Sequence, residues 1–465
     1  MNETFRLVPP EFVPPLDPGF RPAELANRSF RQEAAAVGVP LVIGLERENG
    51  KVSRYETIVF PEDHPRAAAN LMYVERIVKF LLWARGGYKV YIGGPASIAQ
   101  YLRKVYAPGG VRAFDAAFMG EQVYEKPFTI VHCAVDEVPP ANESGIALGR
   151  HLDGCRIGFD LGASDRKVSA VIDGKAVFSE EVIWEPRKHA DPEYHYNEIM
   201  ASIRSAAEKM PRVDAIGGSS AGIFIDNRPM VASLFRGVPR ERYGEIRNLF
   251  LRIRDEMGVP LEVINDGDVT ALAGAMSLNA TGVLGIAMGS SEAVGYVDGS
   301  GNVLGWLNEL AFAPVDYQPE GGIDEWSGDV GCGVQYFCQQ GVFRLAPRAG
   351  IQIPSEITDA EKLLFVQERL NAGHDGAVKI WQSIGIQLGY SLAHYADFYD
   401  IHSVLILGRC TSGIGGGLIL DGAKMVLETI YPDLFNKIHI QLPDEKSRRV
   451  GQSIAAASLP IISRK

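Results

Sequence analysis

The chain has 465 residues, 46% of them apolar and 22% charged, with a formal net charge of −11. That length points to two or three domains with ample core material, and the acidic balance argues against a uniform nucleic-acid coat. The stretch MNETFRLVPPEFVPPLDPGF has neither a basic nor an apolar signal region, and no apolar run is long enough for a membrane span. The five scattered cysteines suit reduced thiols better than a disulfide framework, so a cytoplasmic protein without membrane attachment is expected.

In chain order, Pro9, Pro10, Pro14, Pro15, Pro18 and Pro22 mark an extended arm over residues 1–25. Residues 26–150 read as α/β: PLVIGL, ETIVF, YKVYIG and FTIVHC are strand-like, and residues 67–85 carry helical periodicity. GPASIAQYLRKVY (94–106) follows a strand and reads as the helix of an α/β unit, with Arg103, Lys104 and Arg112 on a solvated face. From Gly154 the pattern is a β-meander, then a helix at 194–209, a strand at 213–218, a helix at 240–258, the strand LEVIND and the helix VTALAGAMSL. Residues 281–305 read as strand, turn, strand and hairpin. After an irregular stretch (308–355), three helical regions surround the strand SVLILG (403–408), and GQSIAAASLP closes the chain as a helix.

Three glycine-containing turns share a design. IGFDLGAS (157–164) places Asp160 and Gly162 in the first hairpin, IAMGSSEAVG (286–295) places Gly289, Ser290 and Ser291 in a second, and LILGRCTSGIGGG (405–417) puts Gly408 after a strand, followed by a glycine cluster. Such turns let backbone N–H groups cradle phosphates, and an adjacent Asp can hold Mg²⁺ through water. Taken singly, each is an ordinary hairpin turn. In LEVINDGDVTALAGAM the strand ends in Asn265 and Asp266, and Asp266 could be a helix cap, a metal ligand or a catalytic base; Asp268 is the expected cap of the following helix. His189 and His195 read as an exposed polar loop, and Trp184, Trp306, Trp326 and Trp381 as core or cleft wall.

Together, these motifs resemble the actin-like ATPase plan and, within it, the ROK family of repressors and sugar kinases, from about Arg156 to Lys465. FDLGAS is similar to the family's first phosphate motif, VINDGDVTALAGA to its segment with the catalytic Asp, LNEL (307–310) to its sugar-contacting segment, and VGQSIAAASLP to its closing helix. The resemblance implies a two-lobed, ribonuclease H-like α/β fold with lobes at 151–265 and 266–465, and the N-terminal α/β region (26–150) added outside it. It implies an ATP-dependent sugar kinase with Asp266 as base and Asn265, Glu309, Ser219 and Ser233 as sugar-binding residues. Asp160 would hold Mg²⁺ through water. Gly162, Ala163, Ser164, Lys167, Gly289, Ser290 and Ser291 would bind the phosphates of ATP, with Gly408, Gly415 and Gly416 near adenosine. A homodimer is a further implication.

The sequence departs from the family at its zinc knot, where Phe312 takes the His position and Glu325 and Ser327 take the first two Cys positions. Cys332 alone cannot make a tetrahedral site, so no structural zinc is expected. GSSEAVG (289–295) keeps only the end glycines of the second phosphate motif, and Glu292 would repel ATP if its carboxylate faced the loop. The alternative is a catalytically inactive sugar or nucleotide sensor or scaffold. A transcriptional repressor would need a recognition helix and wing that the sequence does not place.

Overall fold

The computed structural model describes residues 5–143, 148–442 and 445–462. The chain forms two compact units: Met1–Ser144, Ile286–Val294 and Trp306–Leu442 make the first, and Gly145–Gly285, Gly295–Gly305 and Pro443–Lys465 the second. These do not coincide with the segments expected at 1–25, 26–150, 151–265 and 266–465. The arm and the 26–150 region share one unit with the stretch after Trp306 because their buried side chains find partners there. Phe5, Leu16 and Phe20 of the arm are buried, Leu16 N donates to Ser383 Oγ at 3.1 Å, and Arg344 donates to Asp17 at 2.7 Å.

The first part of that unit holds helix α1 (Ala23–Ala34), strands β1 (Val39–Glu46) and β2 (Val52–Val59), helix α2 (Ala69–Arg85), strand β3 (Lys89–Gly93), helices α3 (Ala96–Val105) and α4 (Ala113–Ala117), and strand β4 (Thr129–Cys133). The sheet order is β2-β1-β3-β4, with β1 antiparallel to both neighbours and β3 parallel to β4, so α3 lies on a β–α–β crossover. Helix α2 is buried nearly all round, including Glu75, Arg76 and Lys79; such a helix runs through a core and must pair its charges there.

The second unit begins with strands β5 (Cys155–Leu161), β6 (Asp165–Ile172) and β7 (Lys175–Ile183), then α5 (Pro192–Ala207), β8 (Ala215–Ser220), β9 (Ile223–Ile225), β10 (Arg228–Val231), α6 (Tyr243–Arg247), α7 (Leu249–Met257), β11 (Leu261–Asn265) and α8 (Asp266–Leu278). Its main sheet has the order β11-β8-β5-β6-β7: an antiparallel meander on one side of β5, and β8 and β11 parallel on the other. Strand β5 is buried along its whole length, whereas β7 alternates as an edge strand does. The helix expected over 240–258 is broken at Asn248 into α6 and α7. His195, expected in an exposed loop, is fully buried in α5 among Trp184, Tyr194 and Phe235, because it lies on the helix face that packs onto the sheet.

Strands β12 (Val283–Met288) and β13 (Glu292–Val297) carry the chain from one unit to the other and back. They are followed by α9 (Gln339–Leu345), α10 (Asp359–Asn371), α11 (Asp375–Tyr395), β14 (Ser403–Leu407), α12 (Gly415–Ile430), α13 (Pro432–Lys437), β15 (His439–Gln441) and α14 (Glu445–Ala457). The second sheet is ordered β13-β12-β14-β15. The return strand expected after Asp298 does not form; Asp298 Oδ1 instead accepts from Ser300 N and Asn302 N at 2.9 and 2.8 Å, closing a turn that leads into irregular chain. A hairpin beside parallel strands thus occurs in both sheets, the second without a third meander strand. This is the actin-like, ribonuclease H-like α/β arrangement. Helix α14 completes the second unit by close approach: a Cβ on Gly217 would lie 1.6 Å from Ala456 O, and one on Gly158 1.9 Å from Ser453 O. Among the described residues, no helix is long and apolar enough to cross a membrane.

Candidate functional site

Strand β11 runs parallel to β8 and delivers Asn265 and Asp266 at its carboxyl end, where α/β sheets place their ligands. The cap of α8 is Asn265, not Asp268. Asn265 Oδ1 accepts from Gly267 N at 2.7 Å, and its Nδ2 donates to Gly222 O at 2.8 Å. Asp268 points inward from the first turn and accepts from Tyr296 N at 3.2 Å. In Asn-Asp-Gly the residue just before the helix wins the cap because its extended backbone lets the side chain fold back over the first free N–H groups. Asn265, expected to bind sugar, is therefore committed to holding the strand end. Asp266, the first helical residue, accepts from the neighbouring Gly267 N at 3.0 Å and does not serve as the cap.

The same sheet carries Asp160 near the end of β5. Ser219 Oγ, on β8 directly opposite, donates to Asp160 Oδ1 at 2.6 Å. Ser219 is fully buried, so its hydroxyl orients Asp160 rather than meeting solvent. Lys167 Nζ stands 2.7 Å from Asp165 and 4.0 Å from Asp160 Oδ2. The loop Gly162–Ser164 between β5 and β6 is tied down by Gly162 N donating to Asp165 O at 2.9 Å and by Trp184, which donates from Nε1 to Gly162 O at 2.9 Å. Ala163 and Ser164 at its tip are exposed. Burial raises the pKa of Asp160. Burial, and then the charge of Asp160, push Asp266 up to about 6. Two carboxyl groups so placed repel each other when both are ionised.

In the first unit, the loop Gly289–Ser291 joins β12 to β13 with the same closure, Gly289 N donating to Ser291 O at 3.1 Å, and again exposes its two tip residues, Ser290 and Ser291. Glu292 does not face this loop. It is buried, with Oε2 only 2.2 Å from where a Cβ on Gly333 would sit. Burial pushes its carboxyl up to about 8 against a lowering by Tyr395, and the charge of Glu309 adds to the rise. Glu309 itself is half-buried in the turn after Asn308.

The remaining glycines serve packing. A Cβ on Gly408, whose φ is +102°, would fall 2.5 Å from Met288 O. Gly415 and Gly416 are buried, and side chains there would meet Trp381 Nε1 at 2.4 Å and Thr411 O at 2.6 Å. Ser233 is exposed, with its Oγ 3.4 Å from Arg187. Trp326, expected in a core or cleft wall, is 67% exposed. Around it, Asp324 accepts from Ser327 N at 2.8 Å, while Asp329 binds Arg76, Lys79 and Arg112 of the N-terminal region at 3.0, 3.1 and 2.7 Å. Arg112, expected on a solvated face, is instead nearly buried between Glu75 and Asp329. Asp165, Tyr395 and the pairing of this charge cluster escaped the sequence reading; the signal for the cluster was charge inside the apolar run of α2.

No family model matches the chain, and neither does any curated protein. Among solved structures it is similar to a ROK family glucokinase from Streptomyces griseus in complex with glucose and AMPPNP, at 20% identity and TM-score 0.46 over 65% of this chain and 98% of that one. A ROK hexokinase from Thermus thermophilus matches at 18% identity and TM-score 0.49, covering 65% and 97%. A ROK family transcriptional regulator, a homologue of the E. coli MLC protein, matches at 17% identity and TM-score 0.46, covering 66% and 78%. The order of the two sheets identifies the plan of this chain as the actin-like α/β fold, with ROK proteins among its structural neighbours.

Proposed function

We propose that the protein is an ATP-dependent sugar kinase, a cytoplasmic enzyme and a homodimer, in which Asp266 is the catalytic base. The observation that carries this reading is the placement of Asp266: Asn265 takes the capping role, and Asp266 is held at a strand end beside Asp160 with its pKa near 6. A carboxylate poised there is ionised at neutral pH yet basic enough to accept a hydroxyl proton. Asp266 takes that proton as the sugar oxygen attacks the γ-phosphorus of ATP, and the bond to the β–γ bridging oxygen breaks, releasing ADP. Glu309 contacts sugar hydroxyls. The exposed tips Ala163–Ser164 and Ser290–Ser291, with Lys167, meet the phosphates.

No cluster of three or more metal-ligating side chains occurs among the described residues. Mg²⁺ bound with a nucleotide needs only one or two carboxylates, and the mutually repelling Asp160 and Asp266 fit that need. Mg²⁺ supplies charge neutralisation when bound, and Asp160 would hold it through water, oriented by Ser219.

The inward turn of Glu292 supports the Gly289–Ser291 loop as a phosphate contact, since a carboxyl packed against Gly333 and protonated at neutral pH adds no charge beside it. The loss of the family's glycines there favours the second reading, a non-catalytic sugar or nucleotide sensor. ADP release from Mg-ATP across hexoses, N-acetylhexosamines and aminosugars separates the two. Sugar-dependent turnover that disappears in Asp266→Asn supports the kinase. No turnover, with a sugar still raising the melting temperature, supports the sensor.

A further inference from the structure

Helix α2 belongs to the region outside the ROK resemblance, yet its C-terminal end holds the segment that carries Glu309. The last carbonyls of a helix lack partners within it. Here Ala84 O accepts from Asn308 N and Trp83 O from Glu309 N, each at 2.9 Å. The helix stops there at Gly86, whose φ is +87° and where a Cβ would crowd Tyr124 Oη at 2.1 Å and Leu307 at 3.0 Å. Asn308 sits in the left-handed region at φ +52° and accepts from Tyr399 Oη at 3.1 Å. The Trp83 ring stacks on Phe312 at 4.2 Å, and Phe312 N closes the turn on Glu309 O at 3.1 Å.

Trp83 is itself fixed from behind. Its Nε1 donates to Asp115 Oδ1 at 2.6 Å, and Lys79 Nζ bridges Asp115 and Asp329, at 3.1 Å from each. Lys79, Trp83 and Asp115 are essentially inaccessible to solvent. One buried array therefore ties α2 and α4 to the stretch flanking Glu309 on both sides. That stretch includes Glu325–Cys332, the place of the absent zinc ligands.

We propose that Lys79, Trp83 and Asp115 are positioning residues for Glu309, so that the N-terminal region is a working part of sugar recognition. The inference rests on the sugar-kinase reading for its substrate, but not for its geometry. Two variants test it: Trp83→Phe, which keeps the ring and removes the bond to Asp115, and the double variant Lys79→Met with Asp115→Leu, which leaves neither charge of that pair unpartnered.

Steady-state kinetics and amide hydrogen exchange of residues 307–312 are measured on the full chain. The expected result is a sugar KM raised about tenfold with the ATP KM unchanged, as a misplaced contact should give, together with faster exchange of the Asn308 and Glu309 amides. An unchanged sugar KM, or sugar and ATP KM rising together, overturns the proposal. If the unaltered protein turns over no sugar, the kinase reading has failed. Exchange still decides the geometry: protection at 308–309 that is the same in both variants as in the parent overturns the positioning role by itself.

Discussion

The two hairpins that open the two sheets are closed alike but carry their carboxyl groups differently. In β5–β6, Asp160 stands near the strand end, oriented by Ser219, with Lys167 close by and Asp266 as a neighbour. In β12–β13, Glu292 follows the loop directly and turns into the interior against Gly333 and Tyr395. Both groups are raised in pKa by burial, but only the first pair keeps the partners that hold a charge ready for use. Equal backbone geometry therefore does not confer equal chemistry; what each carboxyl meets decides it.

The sharpest way to break this contrast is Asp266→Asn, which keeps the shape and removes the base. A fall in kcat of about 10³-fold is expected, checked by ADP release, with the sugar still raising the melting temperature. Residual turnover within tenfold of the parent would remove Asp266 from the chemistry. The contrast should next appear in stability. Because Glu292 has a higher pKa folded than unfolded, its contribution is fully present below pH 4.5 and is lost as the pH rises to about 8. Glu292→Gln should abolish that slope, so its advantage in denaturant melts grows by up to about 4 kcal/mol between pH 4.5 and 8 and is flat above. A pH-independent difference would place the carboxyl in contact with water. In activity, kcat/KM should rise with pH through about 6 as Asp266 ionises, and that limb should be absent in Asp266→Asn. The smallest effect belongs to Ser219→Ala, which removes the hydrogen bond that stabilises the Asp160 carboxylate. Its pKa rises further, and the Mg²⁺ concentration giving half-maximal rate should increase about threefold.

What the sequence revealed was what neighbouring residues decide. The tight loops at 162–164 and 289–291, the strand ending at Asp266 and the helix closing the chain follow from patterns a few residues long. Asn265 rather than Asp268 caps α8 although both are capping residues, and only the path of the chain into α8 decides between them. Gly415 and Gly416 looked like ligand-facing glycines, yet Trp381 and Thr411, brought there by other elements, fill the space beside them. His195 was polar in a polar stretch, and only the packing of α5 on its sheet buries it. The largest gap was the N-terminal region, whose partners at Asp329 and Glu309 lie more than two hundred residues along the chain; no local pattern records such a pairing.

The composition of the two units carries a consequence for synthesis. The first draws on the chain from its beginning to Leu442, including β15, and the second needs α14, whose Ser453 and Ala456 backbone fills the space over Gly158 and Gly217. The first cannot finish folding before Leu442 is made, and the β5–β8 surface waits uncovered until α14 leaves the ribosome. A stop codon placed just before α14 would therefore do more harm than the few residues of that helix suggest. It would leave the glycine face of β5 and β8 uncovered and Arg156 without the Ala457 and Pro460 carbonyls it donates to, a buried charge exposed to the cell's quality control.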